Sequence, residues 1–401
     1  MKSGSAISAP ILSRIISALP LFLPLSLPEL LEGGDYSGLN RAVTGKLEPL
    51  FEQLLDGLKL PVTAIITDVE LLWPINVGNQ RNIPVAAHWL SGSLYSMFYH
   101  FDRFTRNRPS PVNFSGGGDE LIDEIPGIPS THLARFRTLL RENDQQFLQL
   151  VMDSISNVEQ KSQYLLFSSV LEDTKFTPAN DYNNEHIKWL DSQPSESVLY
   201  ISFGSFLSVS KTQMDEIAAA LKITGIRYFW VAREKATWLK EKFGDHVDKG
   251  LVVPWCDQLK VLSHSSVGGF WSHCGWNSTM EAVFAGVPML TYPLFFDQFP
   301  NSRKIVDDWK NGWEVKRAEI GNEVLVTKEE TAELLMKFMD VESREGKEVR
   351  DRAKGLKDIC HRAIAKGGSS DVNLDAFIKS ISSESLSSLC NIKKTSSSDQ
   401  L

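Results

Sequence analysis

The stretch WCDQLKVLSHSSVGGFWSHCGWNSTMEAVFAGVPMLTYPLFFDQ, from Trp255 to Gln298, is the most informative part of the chain. Within it, the apolar run GGFWSHC predicts a buried strand, NSTMEAVFAG a helix and VPMLTYPLF a second strand. His273, Asn277 and Ser278 lie where the first strand gives way to the helix, so free backbone N–H groups and the positive end of the helix dipole are expected there. The segment therefore predicts an anion-binding turn in a parallel sheet with helical crossovers.

The same alternation of strand and helix continues outward from this stretch. On its amino-terminal side, VLYISFGS, RYFWVAR and LVVPW read as strands and KTQMDEIAAALKIT as a helix. An earlier series follows the same rhythm, with helices LNRAVTGKLEPLFEQLLDGL and LLWPINVGNQRN and strands VTAIITD, IPVAAHWL and YLLFSS. The polar run TPANDYNNEH between the two series reads as an interdomain linker, and the stretch 106–126, rich in proline and glycine, as a surface loop.

This organisation predicts an α/β protein of two doubly wound, Rossmann-like domains that face one another across a cleft. The expected divisions are a first domain at residues 1–180, a second at 185–370, a carboxyl-terminal helix at 371–383 and a disordered Ser- and Lys-rich tail at 384–401. In such sheets, ligands bind at the carboxyl ends of the strands.

Charge and cysteine usage exclude several classes of function. The net charge is -8 and the pI about 5.6, with acidic and basic residues interspersed, so no basic surface for nucleic acid is expected. The four cysteines are widely spaced, which indicates reduced thiols and a cytoplasmic protein. No segment is long and apolar enough to predict a membrane span, and Arg14 and several prolines interrupt the apolar amino terminus that superficially resembles a secretory signal.

Two residues of the central stretch admit more than one interpretation. Trp255 follows a strand and is placed to stack a nucleotide base, although an isolated tryptophan is more often a core residue. Ser278 and Glu281, in the order STME, have the spacing of a capping box, which would only satisfy helix-end donors. The alternative is that both side chains contact a bound nucleotide.

The central stretch resembles the PSPG box of plant UDP-glycosyltransferases. The resemblance is carried by the opening Trp255, by Gln258 three residues later, by HCGWNS, by the GVP turn and by the terminal Asp297 and Gln298. Within that family the run LYISFGSFLSVS is similar to the 87A branch. The resemblance implies a GT-B fold and a UDP-sugar donor, with no metal and no tightly bound cofactor.

The resemblance also implies a role for each residue of the donor site. Trp255 would stack the uracil, the Cys256 backbone would meet its edge, and Gln258 and Glu281 would contact the ribose. Ser205 and the residues His273, Asn277 and Ser278 of the turn that contains Gly275 would bind the phosphates. Trp276, Asp297 and Gln298 would bind the sugar hydroxyls. A terminal glutamine is similar to that of glucose-preferring members, so UDP-glucose is the expected donor.

The acceptor side departs from the family pattern. Asp68 ends the strand VTAIITD, at the position where the family has an aspartate that orients a catalytic histidine. The glycine-histidine loop that carries this histidine in the family is not found before Asp68, and His88 is more simply read as a packed or acceptor-lining residue. The first domain is therefore expected to be truncated, and the region after YLLFSS is also shorter than in the family.

The expected activity is inverting transfer of a sugar, glucose by preference, from UDP to a hydroxyl group of a small molecule. The alternative is a UDP-sugar-binding product that lacks the catalytic histidine and does not turn over. An epimerase acting on the nucleotide sugar alone is a third reading, which the plant-type box disfavours. The expected partners are thus the UDP-sugar and a small hydroxylated acceptor.

Overall fold

The structure is a computed structural model of the chain. It describes residues 36–60, 62–69, 71–89, 121–122, 131–132, 158, 160–167, 182–204, 209–243, 249–294, 297–315 and 325–395. Within these ranges, side chains are described from residue 47 to residue 382, except at 121–122, 131–132 and 182–184.

A parallel sheet of six strands forms the larger part of the fold. Its spatial order is β11-β10-β9-β6-β7-β8, and every pair of neighbours is parallel. The strands are β6 (Val198–Ser202), β7 (Arg227–Val231), β8 (Gly250–Val253), β9 (Val267–Ser272), β10 (Met289–Thr291) and β11 (Gly312–Glu314). Because the strands are parallel, the segments that follow them all emerge at one edge of the sheet.

Helices connect these strands and cover the sheet. They are α3 (Tyr182–Asp191), α4 (Lys211–Thr224), α5 (Ala236–Phe243), α6 (Gln258–Leu262), α7 (Trp276–Ala285), α8 (Gln298–Arg303), α9 (Lys328–Met339), α10 (Arg344–Ile364) and α11 (Ser369–Thr395). A 3₁₀ turn spans Arg233–Lys235 and a π-helical turn spans Lys304–Asp308. Four of these helices begin with a side-chain cap, from Ser210, Asp257, Thr327 and Ser343; the Ser210 side chain, for example, accepts from the Gln213 N–H.

The central strands are apolar on both faces, as a sheet covered on both sides requires. Leu199 and Ile201 of β6 join the apolar cluster on one face, and Val198 and Tyr200 join the cluster on the other. All five residues of β6 and all six of β9 are buried. Successive side chains of a strand point to opposite faces, so one strand contributes to both cores.

A smaller sheet lies earlier in the chain and has the order β1-β2-β5. These strands are β1 (Ile65–Asp68), β2 (Val85–Trp89) and β5 (Tyr164–Phe167), accompanied by helices α1 (Tyr36–Gly57) and α2 (Trp73–Gln80). The rings of Phe51 in α1 and Trp73 in α2 meet edge to face with centroids 5.3 Å apart. A two-stranded antiparallel pair, β3 (Leu121–Ile122) and β4 (Thr131–His132), also occurs, and β3 falls in the stretch predicted to be a loop.

The chain divides into two compact units. The first contains Met1–Ala87 and Asn157–Leu165, and the second contains His88–Ser156 and Leu166–Leu401, including the six-stranded sheet. The predicted domain boundary near residue 180 stays a prediction. Besides β3, two further local expectations differ from the structure: α3 begins at Tyr182, inside the predicted linker, and α11 continues to Thr395, through most of the predicted disordered tail.

No helix in the described part of the chain is long and apolar enough to cross a membrane.

Candidate functional site

Most of the residues singled out in the sequence lie at the carboxyl edge of the six-stranded sheet. Gly204 follows β6, Trp255 follows β8, His273 follows β9 and Asp297 follows β10. In open α/β sheets this edge is where ligands bind, because the strand ends and the helix amino termini converge there. The sheet topology therefore brings separate parts of the chain to one candidate site.

Trp255 is an exposed aromatic residue at this edge. It lies two residues after β8, and its side chain is 51% exposed. This exposure contradicts the core interpretation of Trp255 and leaves an indole face available for stacking. The next residue, Cys256, is buried, and burial raises the pKa of its thiol to about 12, so the thiol stays protonated at neutral pH.

A network of hydrogen bonds joins Cys256, Gln258, Ser278 and Glu281, and its buried end is Tyr200. The Gln258 Nε2 donates to Ser278 Oγ at 2.8 Å and to Glu281 Oε2 at 2.5 Å. The Tyr200 hydroxyl donates to Gln258 Oε1 at 3.1 Å and lies 3.5 Å from Cys256 Sγ. Four residues predicted from the sequence thus form one connected group.

This network excludes the capping-box interpretation of Ser278 and Glu281. The N-cap of α7 is Gly275, so Ser278 lies inside the first helical turn and does not occupy the N-cap that a capping box requires. Both side chains are bonded to Gln258 of a neighbouring helix instead. Burial raises the pKa of Glu281, while its hydrogen bond from Gln258 favours the ionised form.

The amino terminus of α7 presents backbone donors at the same edge. Gly275 has no side chain with which to cap this helix, and the first intrahelical bond runs from the Thr279 N–H to the Gly275 carbonyl at 2.9 Å. The N–H groups of Trp276, Asn277 and Ser278 therefore lie in the turn that has no intrahelical acceptors. Together with the helix dipole, these donors favour an anion at this point.

His273 is packed tightly between two glycines of this edge. A Cβ atom added to Gly204 or to Gly275 would lie 2.5 Å from the His273 Nε2. Burial lowers the pKa of His273 to about 4, against a smaller opposing effect of the Ser202 backbone. The imidazole is therefore neutral at pH 7 and can act as a hydrogen-bond donor beside the helix terminus.

Asp297 and Gln298 begin helix α8, and each side chain accepts a hydrogen bond from a nearby residue. The Leu294 N–H donates to Gln298 Oε1 at 2.8 Å. The fully buried Asn301 donates from its Nδ2 to Asp297 Oδ2 at 2.9 Å and to the Cys274 carbonyl at 3.0 Å. This bridge ties the start of α8 to the turn that precedes α7.

Trp276 and Asn277 occupy different environments at the start of α7. The Trp276 side chain is buried and lies against Trp309, with ring centroids 6.4 Å apart, while Asn277 is exposed. The indole N–H of Trp276 has no acceptor among the described residues.

Asp68 and Ser205 are the remaining residues of the predicted site. Asp68 ends β1 in the first unit, where its side chain is exposed and its carbonyl accepts from the Leu71 N–H at 3.1 Å. Ser205 lies outside the described residues. His88 is a half-buried residue of strand β2.

The sequence analysis missed Tyr200, Gly204 and Asn301. Tyr200 and Gly204 lie in the predicted strand VLYISFGS, whereas Asn301 lies in helix α8, which was not predicted. No motif distinguishes a core tyrosine from one whose hydroxyl reaches a site. A polar residue in the apolar strand VLYISF was the available signal for Tyr200, because a buried hydroxyl requires a partner.

No three His, Cys, Asp or Glu side chains in the part of the chain that the structure describes are grouped so as to hold a metal ion.

The chain is similar to several known proteins. The family model for UDP-glucoronosyl and UDP-glucosyl transferase matches residues 142–330. The chain is 42% identical to UDP-glycosyltransferase 87A1 of Arabidopsis thaliana over 393 residues, which cover 91% of this chain and 88% of the relative. UDP-glycosyltransferase 87A2 of the same plant is 38% identical over 392 residues, covering 91% and 84%.

Solved structures of plant glycosyltransferases share the fold. UGT2 of Phytolacca americana, complexed with UDP-2fluoro-glucose and pterostilbene, has a TM-score of 0.72 and 26% identity, covering 86% of this chain and 81% of its own. UGT73P12 of Glycyrrhiza uralensis, complexed with glycyrrhetinic acid 3-O-monoglucuronide, has a TM-score of 0.73 and 28% identity, covering 94% and 83%.

The fold is that of the GT-B glycosyltransferases, α/β with Rossmann-like domains. Within that class, the chain belongs to the plant UDP-glycosyltransferase family and lies near its 87A branch.

Proposed function

We propose that this chain transfers a sugar residue, glucose by preference, from UDP to a hydroxyl group of a small molecule, with inversion at the anomeric carbon. The observation that carries the proposal is the convergence at one sheet edge of an exposed indole, a helix amino terminus and the Gln258–Ser278–Glu281 network. These are respectively a base-stacking surface, an anion site and a group of acceptors suited to ribose hydroxyls.

The proposed binding of the donor follows from these chemical types. The uracil stacks on Trp255 and meets the Cys256 backbone, and the ribose hydroxyls donate to Glu281 beside Gln258. The diphosphate lies at the amino terminus of α7, next to His273 and the polar residues Asn277 and Ser278, with Ser205 completing the phosphate site. The sugar hydroxyls meet Trp276, Asp297 and Gln298.

The proposed reaction is a single displacement. The acceptor oxygen attacks the anomeric carbon, the bond from that carbon to the diphosphate oxygen breaks, and UDP leaves with the bonding electron pair. The backbone donors of α7 and the neutral His273 stabilise the negative charge that grows on the diphosphate. The acceptor hydroxyl loses its proton as it attacks, and we propose that the Asp68 carboxylate accepts that proton or orients the base that does.

This proposal includes no metal and no tightly bound cofactor, because backbone and side-chain donors at the α7 terminus can offset the diphosphate charge. We also propose a cytoplasmic location, which the free, buried thiols of Cys256, Cys274 and Cys360 support, since reduced thiols are typical of that compartment.

Removal of the Trp255 indole tests the donor site. In Trp255→Ala the affinity for UDP should fall by ~1–3 kcal/mol, because a base loses its stacking surface, while thermal unfolding stays unchanged since the side chain is exposed. Trp238→Ala is the matched control, a half-buried tryptophan of α5 whose ring packs beneath Lys211 and Lys242 and which is not one of the predicted donor residues. Titration calorimetry measures both. Equal UDP affinity in the wild type and in Trp255→Ala would remove the stacking role.

A further inference from the structure

Tyr200 is a buried residue of strand β6 whose hydroxyl reaches the candidate site. Its ring is 1% exposed and stacks on Phe270 of the adjacent strand, with centroids 4.9 Å apart. The hydroxyl lies 3.1 Å from Gln258 Oε1 and 3.5 Å from Cys256 Sγ. Neither the sequence motif nor the proposed donor contacts assign this residue a role.

The hydrogen bonds around Gln258 fix the direction of its side-chain amide. An amide has a donor end and an acceptor end, and a carboxylate can only accept. Because Glu281 Oε2 lies 2.5 Å from one end of the amide, that end is the NH₂ group, and the carbonyl oxygen faces Tyr200. A reversed amide would place two acceptor oxygens together at Glu281.

Tyr200 supplies the proton that completes this arrangement. Burial raises the pKa of the Tyr200 hydroxyl well above its usual value, so the residue remains a donor at physiological pH. The Cys256 thiol, also protonated, is placed to donate to the same hydroxyl oxygen. The bonds therefore run in one direction, from Cys256 through Tyr200 and Gln258 to Glu281.

We propose that Tyr200 is a positioning residue for recognition of the donor's ribose. It holds the Gln258 amide in the orientation that binds Glu281 Oε2, which leaves the second carboxylate oxygen of Glu281 to accept from a ribose hydroxyl. Tyr200 itself does not touch the nucleotide. This inference rests on the proposed function, since it assumes that UDP binds at this edge.

The test compares two nucleotides in two tyrosine variants. Tyr200→Phe keeps the ring and its packing and removes one oxygen, and it should weaken UDP binding ~2–10-fold, the range of a typical net hydrogen bond. With 2′,3′-dideoxyuridine diphosphate, which lacks the ribose hydroxyls, wild type and variant should bind alike. Tyr228→Phe is the matched control, a buried tyrosine of β7 in the same sheet whose side chain packs against Gly250. Its affinity for both nucleotides should equal that of the wild type.

A second measurement separates positioning from a general structural effect. In the Gln258→Ala background, Tyr200→Phe should cause no further loss of UDP affinity, because the group through which it acts is gone. Equal losses for UDP and the dideoxy nucleotide, or additive losses in the double variant, would overturn the inference. Unchanged UDP affinity in Tyr200→Phe would also overturn the inference, but it would leave the proposed function intact. Failure of the wild type itself to bind UDP would refute the proposed function.

Discussion

His273 illustrates how burial sets the charge of a single residue. A histidine in water has a pKa near 6.5, and burial between Gly204 and Gly275 lowers the pKa of His273 to about 4. The protein therefore places a neutral donor beside the helix terminus of α7. A neutral imidazole can donate a hydrogen bond to a phosphate oxygen. Because it carries no positive charge, it does not attract other anions to this edge.

The lowered pKa of His273 predicts a pH dependence of stability. Below pH 6.5 the unfolded chain takes up a proton on this residue that the folded protein does not, so the free energy of unfolding falls as the pH drops from about 6.5 to about 4. Above pH 6.5 the residue is neutral in both states and contributes no pH dependence. Urea denaturation of His273→Gln and wild type at pH 5 and pH 7.5 measures the effect.

The variant should lose less stability than the wild type between these two pH values. All other titrating groups are common to both proteins and cancel in the comparison. Identical losses would show that His273 titrates normally in the folded state.

At the scale of elements, two strand-to-helix junctions meet around His273. Gly204 lies after β6 with φ of 82°, and Gly275 is the N-cap of α7. Each glycine brings backbone close to the imidazole where a Cβ would collide with Nε2. Both positions must therefore be glycine for the imidazole to occupy its observed position.

Gly204→Ala tests this arrangement, with Gly367→Ala as a matched control. Both glycines have φ of 82°, so an alanine is strained by a similar amount at either position, ~1–3 kcal/mol. Only Gly204 has a neighbour in the way, the His273 ring, because nothing lies within 4 Å of a Cβ at Gly367. Both variants should lose stability, but only Gly204→Ala should lose UDP affinity. Calorimetry that found wild-type UDP affinity in Gly204→Ala would show that the ring does not depend on this gap.

The opposite end of helix α7 is fixed by α10. Lys357 Nζ donates to the Ala285 carbonyl at 3.3 Å, and His361 Nε2 lies 3.0 Å from the Phe284 carbonyl. The His361 ring also stacks on Phe284, with centroids 4.4 Å apart. These side chains satisfy carbonyl groups of the last turn, which have no intrahelical donors, and so anchor the helix whose other end forms the anion site.

At the scale of the whole molecule, the proposed binding and transfer functions fall in different units. The donor residues belong to the second unit and Asp68 to the first. Asp68→Asn should therefore leave UDP affinity unchanged and lower turnover by ~10²-fold or more, at the low end of what a general base contributes. Calorimetry with UDP and release of UDP with a panel of phenolic acceptors measure the two effects separately.

Asp358→Asn serves as the control for Asp68→Asn, because it neutralises an exposed carboxylate of α10 far along the chain from the candidate site. It should change neither quantity. Full turnover in Asp68→Asn would mean that this carboxylate takes no part in proton transfer.

The sequence by itself determined the alternation of strands and helices, the parallel sheet and the family. These follow from local patterns: hydrophobic periodicity predicts α4 and α7 to within one residue and β6 to within three, and the HCGWNS motif lies in one continuous segment. Helix α3 inside the predicted linker and the extension of α11 to Thr395 were missed, because polar composition also suits an exposed helix.

Only the tertiary structure decided which residue Ser278 and Glu281 contact and which partner the buried Tyr200 hydroxyl finds. Ser278 fits the spacing of a capping box, and its actual partner, Gln258, lies 20 residues earlier in the chain. Tyr200 is 58 residues away from Gln258 and reaches it because β6 lies near the middle of the sheet. Hydrogen bonds between distant segments depend on how the strands are ordered, and no local pattern of residues records that order.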